Sequence, residues 1–231
     1  MDLIQRRQWN ENHKRLTNMI LKSAEHQASV DLFMEQHRLL HSSRMSQSPV
    51  ATLEDELIKD LREETFRKYP VIARDTKNSI LWHVWHITRI EDMTMNVLVN
   101  NDEQVFYSGK WNEKLGVEYL HSGNEMTELE IADLSEQINI SSLMAYRMEV
   151  GRKTREVVSG LTPGDFNKKV KVERISMLKE QNAVKKEALC LLDYWSKKTV
   201  AGLILMPATR HIFLHLNKSI HLKEKIQKVK V

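Results

Sequence analysis

The chain is poor in the residues that interrupt regular structure. It has seven glycines and four prolines among 231 residues, where average usage would supply about 16 and 12. A sandwich or barrel of many short strands needs more turns than that, so the scarcity argues against all-β classes and for long helices. A single cysteine excludes an internal disulfide framework and a cysteine-rich zinc site. The longest apolar patch, 200–207, is far too short to cross a bilayer, which takes about 18 residues. The basic residues at the start are not followed by an apolar run, so no secretory leader is expected. The expectation is a soluble protein of a reducing cytoplasm, with no membrane partner. The net charge of +4 is too small to imply nucleic acid by itself.

What is present reads as helix. Residues 3 to about 44 contain no glycine or proline, and Trp9, Leu16, Ile20, Val30, Phe33 and Leu40 recur on roughly helical spacing. This predicts one long helix or two nearly collinear ones, ended by the polar stretch before Pro49. A short helix is expected over 53–67, opened by Thr52 and closed at Tyr69-Pro70. The next, capped by Asp75 or Thr76, runs to about Asn100. A long connection then holds one turn at 111–115. Thr127 with Glu130 forms a capping box for a helix to about Gln137. Ser141 or Ser142 opens another, closed by Ser159-Gly160. A helix over 172–181 precedes a strongly apolar one over 183–206, kinked or broken by Pro207, and the last runs over 208–229. This order predicts an all-α fold: one four-helix bundle domain over 1–231, with long crossover connections and short extra helices.

Ten histidines are the unusual feature. His37/His41 and His211/His215 stand four apart, and His83/His86 three apart, so each pair shares a helix face. Two imidazoles on one face can grip a metal, and a third from a neighbouring helix completes a three-nitrogen site with open positions. His211/His215 and His86 lie in apolar helices, where a buried imidazole needs a partner. His37/His41 lies in a wetter stretch and reads as a surface pair near a helix C-terminus. Glu-x-x-His occurs once, at Glu118–His121, where a di-iron bundle needs one on each of two helices, and no His-Glu-x-x-His occurs, which disfavours a zincin protease.

Two stretches carry a family resemblance. Ser79-Ile80-Leu81-Trp82-His83-Val84-Trp85-His86-Ile87-Thr88-Arg89-Ile90-Glu91-Asp92 resembles the second helix of the DinB-like superfamily of four-helix bundles, where a Trp precedes a metal-binding His by four residues. Met206-Pro207-Ala208-Thr209-Arg210-His211-Ile212-Phe213-Leu214-His215-Leu216-Asn217 is similar to its closing helix with a His-x-x-x-His. The resemblance implies that His86, His211 and His215 hold one divalent ion, zinc or nickel, and that the chain forms a homodimer. It also implies an enzyme acting on a small molecule with a low-molecular-weight thiol, as a thiol S-transferase, a thiol-dependent isomerase or a hydrolase. The family's Arg-Gly-Gln-like run after the second ligand is replaced here by Leu216-Asn217-Lys218, and a shifted register would instead offer Asn217 and His221.

Other residues take subsidiary roles in this reading. Glu91 or Asp92 is a candidate partner for the second ring nitrogen of His86. Arg210 can meet a substrate carboxylate or make a surface salt bridge. Trp82 and Trp85 can wall the pocket or simply fill the core. Cys190 reads as a buried, inert thiol, and Met93, Met95, Met144, Met148 and Met206 as core fillers. The rival to an enzyme is a non-catalytic metal-binding or structural bundle, stress-linked, that has lost its chemistry. The tail 218–231 has five Lys against one Glu, a charge placed where the helix dipole favours cations, so nucleic-acid binding is not expected.

Overall fold

A computed structural model describes residues 2–228. Five long helices organise it: α1 (Leu3–Met19), α2 (His26–Arg38), α3 (Ile80–Asp92), α4 (Ile140–Ser159) and α5 (His211–Lys228). Among the described residues there is no strand, only an isolated bridge between Lys169 and Thr199. The fold is an all-α bundle in which α3 lies against both α4 and α5, and α2 against α4.

The first two helices are not collinear. Asp2 and Gln5 form a capping box that opens α1, and a short 3₁₀ turn over Ser23–Glu25 leads into α2. The Trp9 indole N–H then donates to the Gln36 carbonyl at 3.2 Å. Each of these residues lies ten positions from the end of its helix at the turn, so the helices form an antiparallel hairpin. Leu16, Met19, Ile20, Val30 and Phe33 bury their apolar sides in one core. Helical periodicity runs unbroken through such a turn because no glycine or proline marks it.

Several boundaries differ in detail. Residues 53–67 form two short helices, Leu53–Ile58 and Glu63–Arg67. Ser79, rather than Asp75 or Thr76, caps α3 by accepting from Trp82 N–H. The capping box of Thr127 and Glu130 forms as expected, and Asn139 caps α4 one residue ahead of Ile140. The apolar stretch 183–206 is not one helix. It is a 3₁₀ turn at Lys186–Ala188, a helix over Cys190–Ser196 and another over Val200–Leu205. Between the last two, Val200 N–H donates to the Lys168 carbonyl at 2.9 Å and Val170 N–H to the Lys198 carbonyl at 3.0 Å, tying the chain down where a continuous helix would have to run. Cys190 is accordingly exposed, not buried, because Leu192 and Trp195 take the inward face of its short helix. Met93 and Met95 are in the core, while Met144, Met148 and Met206 are half-buried. The end of the last predicted helix, at Val229, lies outside the described residues.

Pro207 does not end the closing helix. It sits at the start of a π-helical turn, Met206–Arg210, that leads directly into α5. Proline lacks an N–H and leaves carbonyls upstream without their usual partner. Thr209 Oγ1 lies 2.9 Å from the carbonyls of both Ile204 and Leu205, and His13 Nε2 donates to the Leu205 carbonyl at 2.9 Å. A second π turn, Met93–Val99, continues α3.

Every residue of α3 is buried. Its last carboxylate, Asp92, accepts from the Val105 and Phe106 N–H groups at 2.9 Å each, from Asn96 Nδ2 at 2.7 Å and from the Tyr146 hydroxyl at 2.6 Å. Arg89 donates to the same Tyr146 oxygen at 2.9 Å and to the Leu120 carbonyl at 2.6 Å. This network fastens α3 to α4 and to the crossing loop. Asp92→Ala leaves the Arg89 cation and two backbone donors short of a partner in the interior, so a loss of about 3–5 kcal/mol is expected in urea unfolding. Tyr146→Phe removes only one hydroxyl and should cost about 1–2 kcal/mol. A loss for Asp92→Ala no greater than that for Tyr146→Phe would show that the network is not the anchor.

Candidate metal centre

Three imidazoles from two helices meet between α3 and α5. His86 stands near the middle of α3. His211 opens α5, and His215 follows one turn later on the same face. His86 Nε2 lies 3.1 Å from His211 Nε2. The ring centres are 5.0 Å apart for His86 and His215, and 4.4 Å for His211 and His215. One ligand nitrogen from each ring lies within 4.8 Å of the other two. His86 is buried, while His211 and His215 are half-buried and leave one side of the cluster reachable. The π turn immediately before His211 is of the kind that recurs at functional sites.

The orientation of His86 is settled by its other nitrogen. Nδ1 lies 2.7 Å from the Ser122 carbonyl, an oxygen that can only accept, so Nδ1 carries the proton. Nε2 therefore turns a lone pair toward His211 and His215, the tautomer a metal ligand needs. Ser122 is itself held by its N–H, which donates to the Ala183 carbonyl at 3.0 Å. The Trp82 ring stacks on His86 with centres 4.7 Å apart and planes 9° from parallel. His83 joins from the side, its Nδ1 2.8 Å from His215 Nδ1.

The electrostatics keep these rings neutral. Burial pushes His86 down to about 4 and, aided by repulsion from His86, pushes His83 down to about 3. Burial and the neighbouring rings hold His211 and His215 well below the ordinary histidine range. A neutral imidazole is the form that binds a cation. Three neutral imidazoles with access from one side are a donor set that fits a borderline divalent ion. The His211 Nδ1 atom, buried without a hydrogen-bond partner, marks the site as incompletely satisfied by the protein alone.

Other residues read from the sequence fall in different places. The partner of His86 is the Ser122 carbonyl, not Glu91 or Asp92, because residues five and six further along α3 face other neighbours. No motif marks Ser122, which reaches the site only through the crossing loop. The alternative register is not supported: Asn217 Nδ2 donates to the Phe213 carbonyl at 2.7 Å, within its own helix, and His221 is exposed. Arg210 donates to Asn10 Oδ1 on α1, and its guanidinium lies 5.6 Å from the Phe213 ring. Trp85 is wholly buried against Phe106. His37 and His41 are not a surface pair: they are 0% and 1% exposed, because the hairpin turns that face of α2 inward onto α3. A groove of about 580 Å³ opens elsewhere, lined by Val71, Ile72, Leu222 and Ile226, and holds none of these histidines.

Acid should unfold the metal-free protein early. A histidine titrates near 6.5 in the unfolded chain, but His86 and His121 do so near 4 in the folded one, chiefly because they are buried. Between those values the unfolded chain binds more protons, so stability falls with falling pH by about 1.4 kcal/mol per pH unit for each such histidine. Urea unfolding of chelator-treated protein from pH 7 to pH 5 is expected to show this slope, and His86→Asn to flatten it by one histidine's share. Equal slopes in both proteins would mean that His86 is not kept neutral by the fold.

Comparison with known protein families matches residues 51–214 to the DinB superfamily. The matched segment contains α3 with His86 and the start of α5 with His211, and ends one residue before His215. A comparison with curated proteins finds no match. The family match covers well over half of the chain and spans both helices that build the histidine cluster: the chain belongs to the DinB superfamily.

Proposed function

We propose that this protein is a divalent-metal-dependent enzyme, a transferase or hydrolase that acts with a low-molecular-weight thiol on a small electrophilic substrate. His86, His211 and His215 are its metal ligands, with zinc or nickel as the ion. The observation that carries the proposal is the tautomer of His86. Its Nδ1 proton is spent on the Ser122 carbonyl, 2.7 Å away, and its free lone pair points at the two histidines of α5.

A bound divalent ion supplies one thing here: it lowers the pKa of a thiol or water so that the anion exists at neutral pH. The rest falls to the chain. Ser122 fixes the His86 ring, and the stacked Trp82 covers one face and keeps water from it. His83 abuts His215 and restrains its rotation. Trp82 Nε1 is buried with no partner. Arg210 is engaged with Asn10 and would have to leave it to reach a carboxylate. A second reading has its own support. The contacts of His86 with His211 and of His83 with His215 can be read as hydrogen bonds between neutral rings, which a metal-free structural bundle would keep.

Metal content decides between the two. Untagged protein purified without chelators is expected to carry zinc or nickel, with one equivalent per chain lost in His215→Ala. The wild type should conjugate or cleave at least one electrophile in a screen against several small thiols, and His215→Ala should lose at least about a hundredfold of that rate. Wild-type protein that holds no metal after incubation with zinc and nickel would overturn the enzyme reading and leave the structural bundle.

A further inference from the structure

A second cluster of ligand-type side chains lies in the interior, independent of the first. His37 is in the last turn of α2, His41 follows just beyond it, and Glu91 is on α3. His37 Nε2 is 2.8 Å from Glu91 Oε1, and His41 Nε2 is 3.2 Å from Glu91 Oε2. The three side chains are 0–1% exposed, and one ligand atom from each lies within 4.8 Å of the others. We propose that His37, His41 and Glu91 form a second binding site for a borderline divalent cation such as zinc, a closed structural site that clamps the end of α2 onto α3.

Two further observations support this beyond proximity. The first is unmet polar demand. The 3.2 Å approach of His41 Nε2 to Glu91 lacks hydrogen-bond geometry, and both atoms are buried without a partner, as is Nδ1 of each histidine. Buried polar atoms left without a partner are costly, and a cation among these three side chains would engage them. Neither nearby arginine hydrogen-bonds Glu91: Arg147 donates to Glu54 and the Leu40 carbonyl, at 2.7 and 2.9 Å, with its Nη1 left unpartnered, and Arg155 donates to the Met34 carbonyl at 2.8 Å. Two imidazoles and a carboxylate are a ligand set that first-row divalent ions use.

The second is Gly151, in the interior of α4. A glycine there costs helix stability relative to alanine. A Cβ at this position would fall 2.6 Å from His41 Nδ1 and 2.4 Å from Met45 Sδ. The missing side chain is the space in which His41 sits, so α4 is shaped to receive that ring. His37 and His41 also precede the segment matched to the family, which begins at residue 51, so the site depends on the N-terminal hairpin of this chain.

The test uses the full chain, stripped with chelator, reloaded with zinc, desalted and assayed for zinc per chain. Two equivalents are expected in the wild type, one in His215→Ala, one in Glu91→Gln and none in the double variant. Zinc should also raise the melting temperature of His215→Ala, a shift that His215→Ala combined with Glu91→Gln should lose. One equivalent in the wild type, kept in Glu91→Gln and lost in His215→Ala, would overturn the second site and leave the first intact. One equivalent with the opposite pattern would overturn the first and leave the second. Should Glu91→Gln fail to fold, anomalous diffraction at the zinc edge from wild-type crystals decides. A peak among His37, His41 and Glu91 supports the site, and a zinc-loaded crystal without one overturns it.

Discussion

All thirteen residues of α3 are buried, so its polar side chains must find their partners inside the protein. Buried polar groups left unpaired are costly, and this helix carries two histidines, an arginine, a glutamate and an aspartate within ten residues. They go to three different parts of the bundle. His83 and His86 turn to α5, Glu91 to the end of α2, and Arg89 and Asp92 to Tyr146 and the crossing loop. Much of the arrangement of the bundle around α3 is set by those obligations. Apolar packing is non-directional, whereas these contacts fix which face of each neighbour meets α3.

The same constraint explains why the histidines occupy two environments. His86 and Glu91 are five residues apart on one helix, hence on different faces. The face of His86 looks toward a cluster that α5 leaves partly open. The face of Glu91 looks into the hairpin, where nothing is open. A site with a reachable side suits exchange of a small molecule, and a sealed one suits structure.

Both π-helical turns border these clusters. One comes directly after Glu91 and Asp92, and the other precedes His211. A wide turn inserts an extra residue into a helix and rotates the turns beyond it. At Met206–Arg210 that rotation lets a helix containing proline carry on and still deliver His211 and His215 inward. Thr209 and His13 supply the hydrogen bonds that the distorted backbone lacks, so α1 contributes to the centre without placing a ligand in it.

The helical class, the caps at Thr52, Thr127 and Gly160, and the three histidines of the first cluster were legible in the sequence. They depend on local facts: few turn residues, capping side chains, and pairs of histidines one turn apart in apolar surroundings. Spacing along one helix places His211 beside His215 whatever the rest of the chain does. The reversal between α1 and α2 was not legible, because a 3₁₀ turn without glycine or proline leaves no mark in a periodic pattern. The burial of His37 and His41 came with that reversal, and so did their meeting with Glu91. Ser122 was invisible for a related reason: it acts through its carbonyl, which every residue has. The side chains and their local spacing were determined by the sequence itself. Which helix face met which, and which backbone oxygen oriented His86, only the tertiary structure decided, because those contacts join residues 36–125 positions apart and depend on how the whole bundle closes.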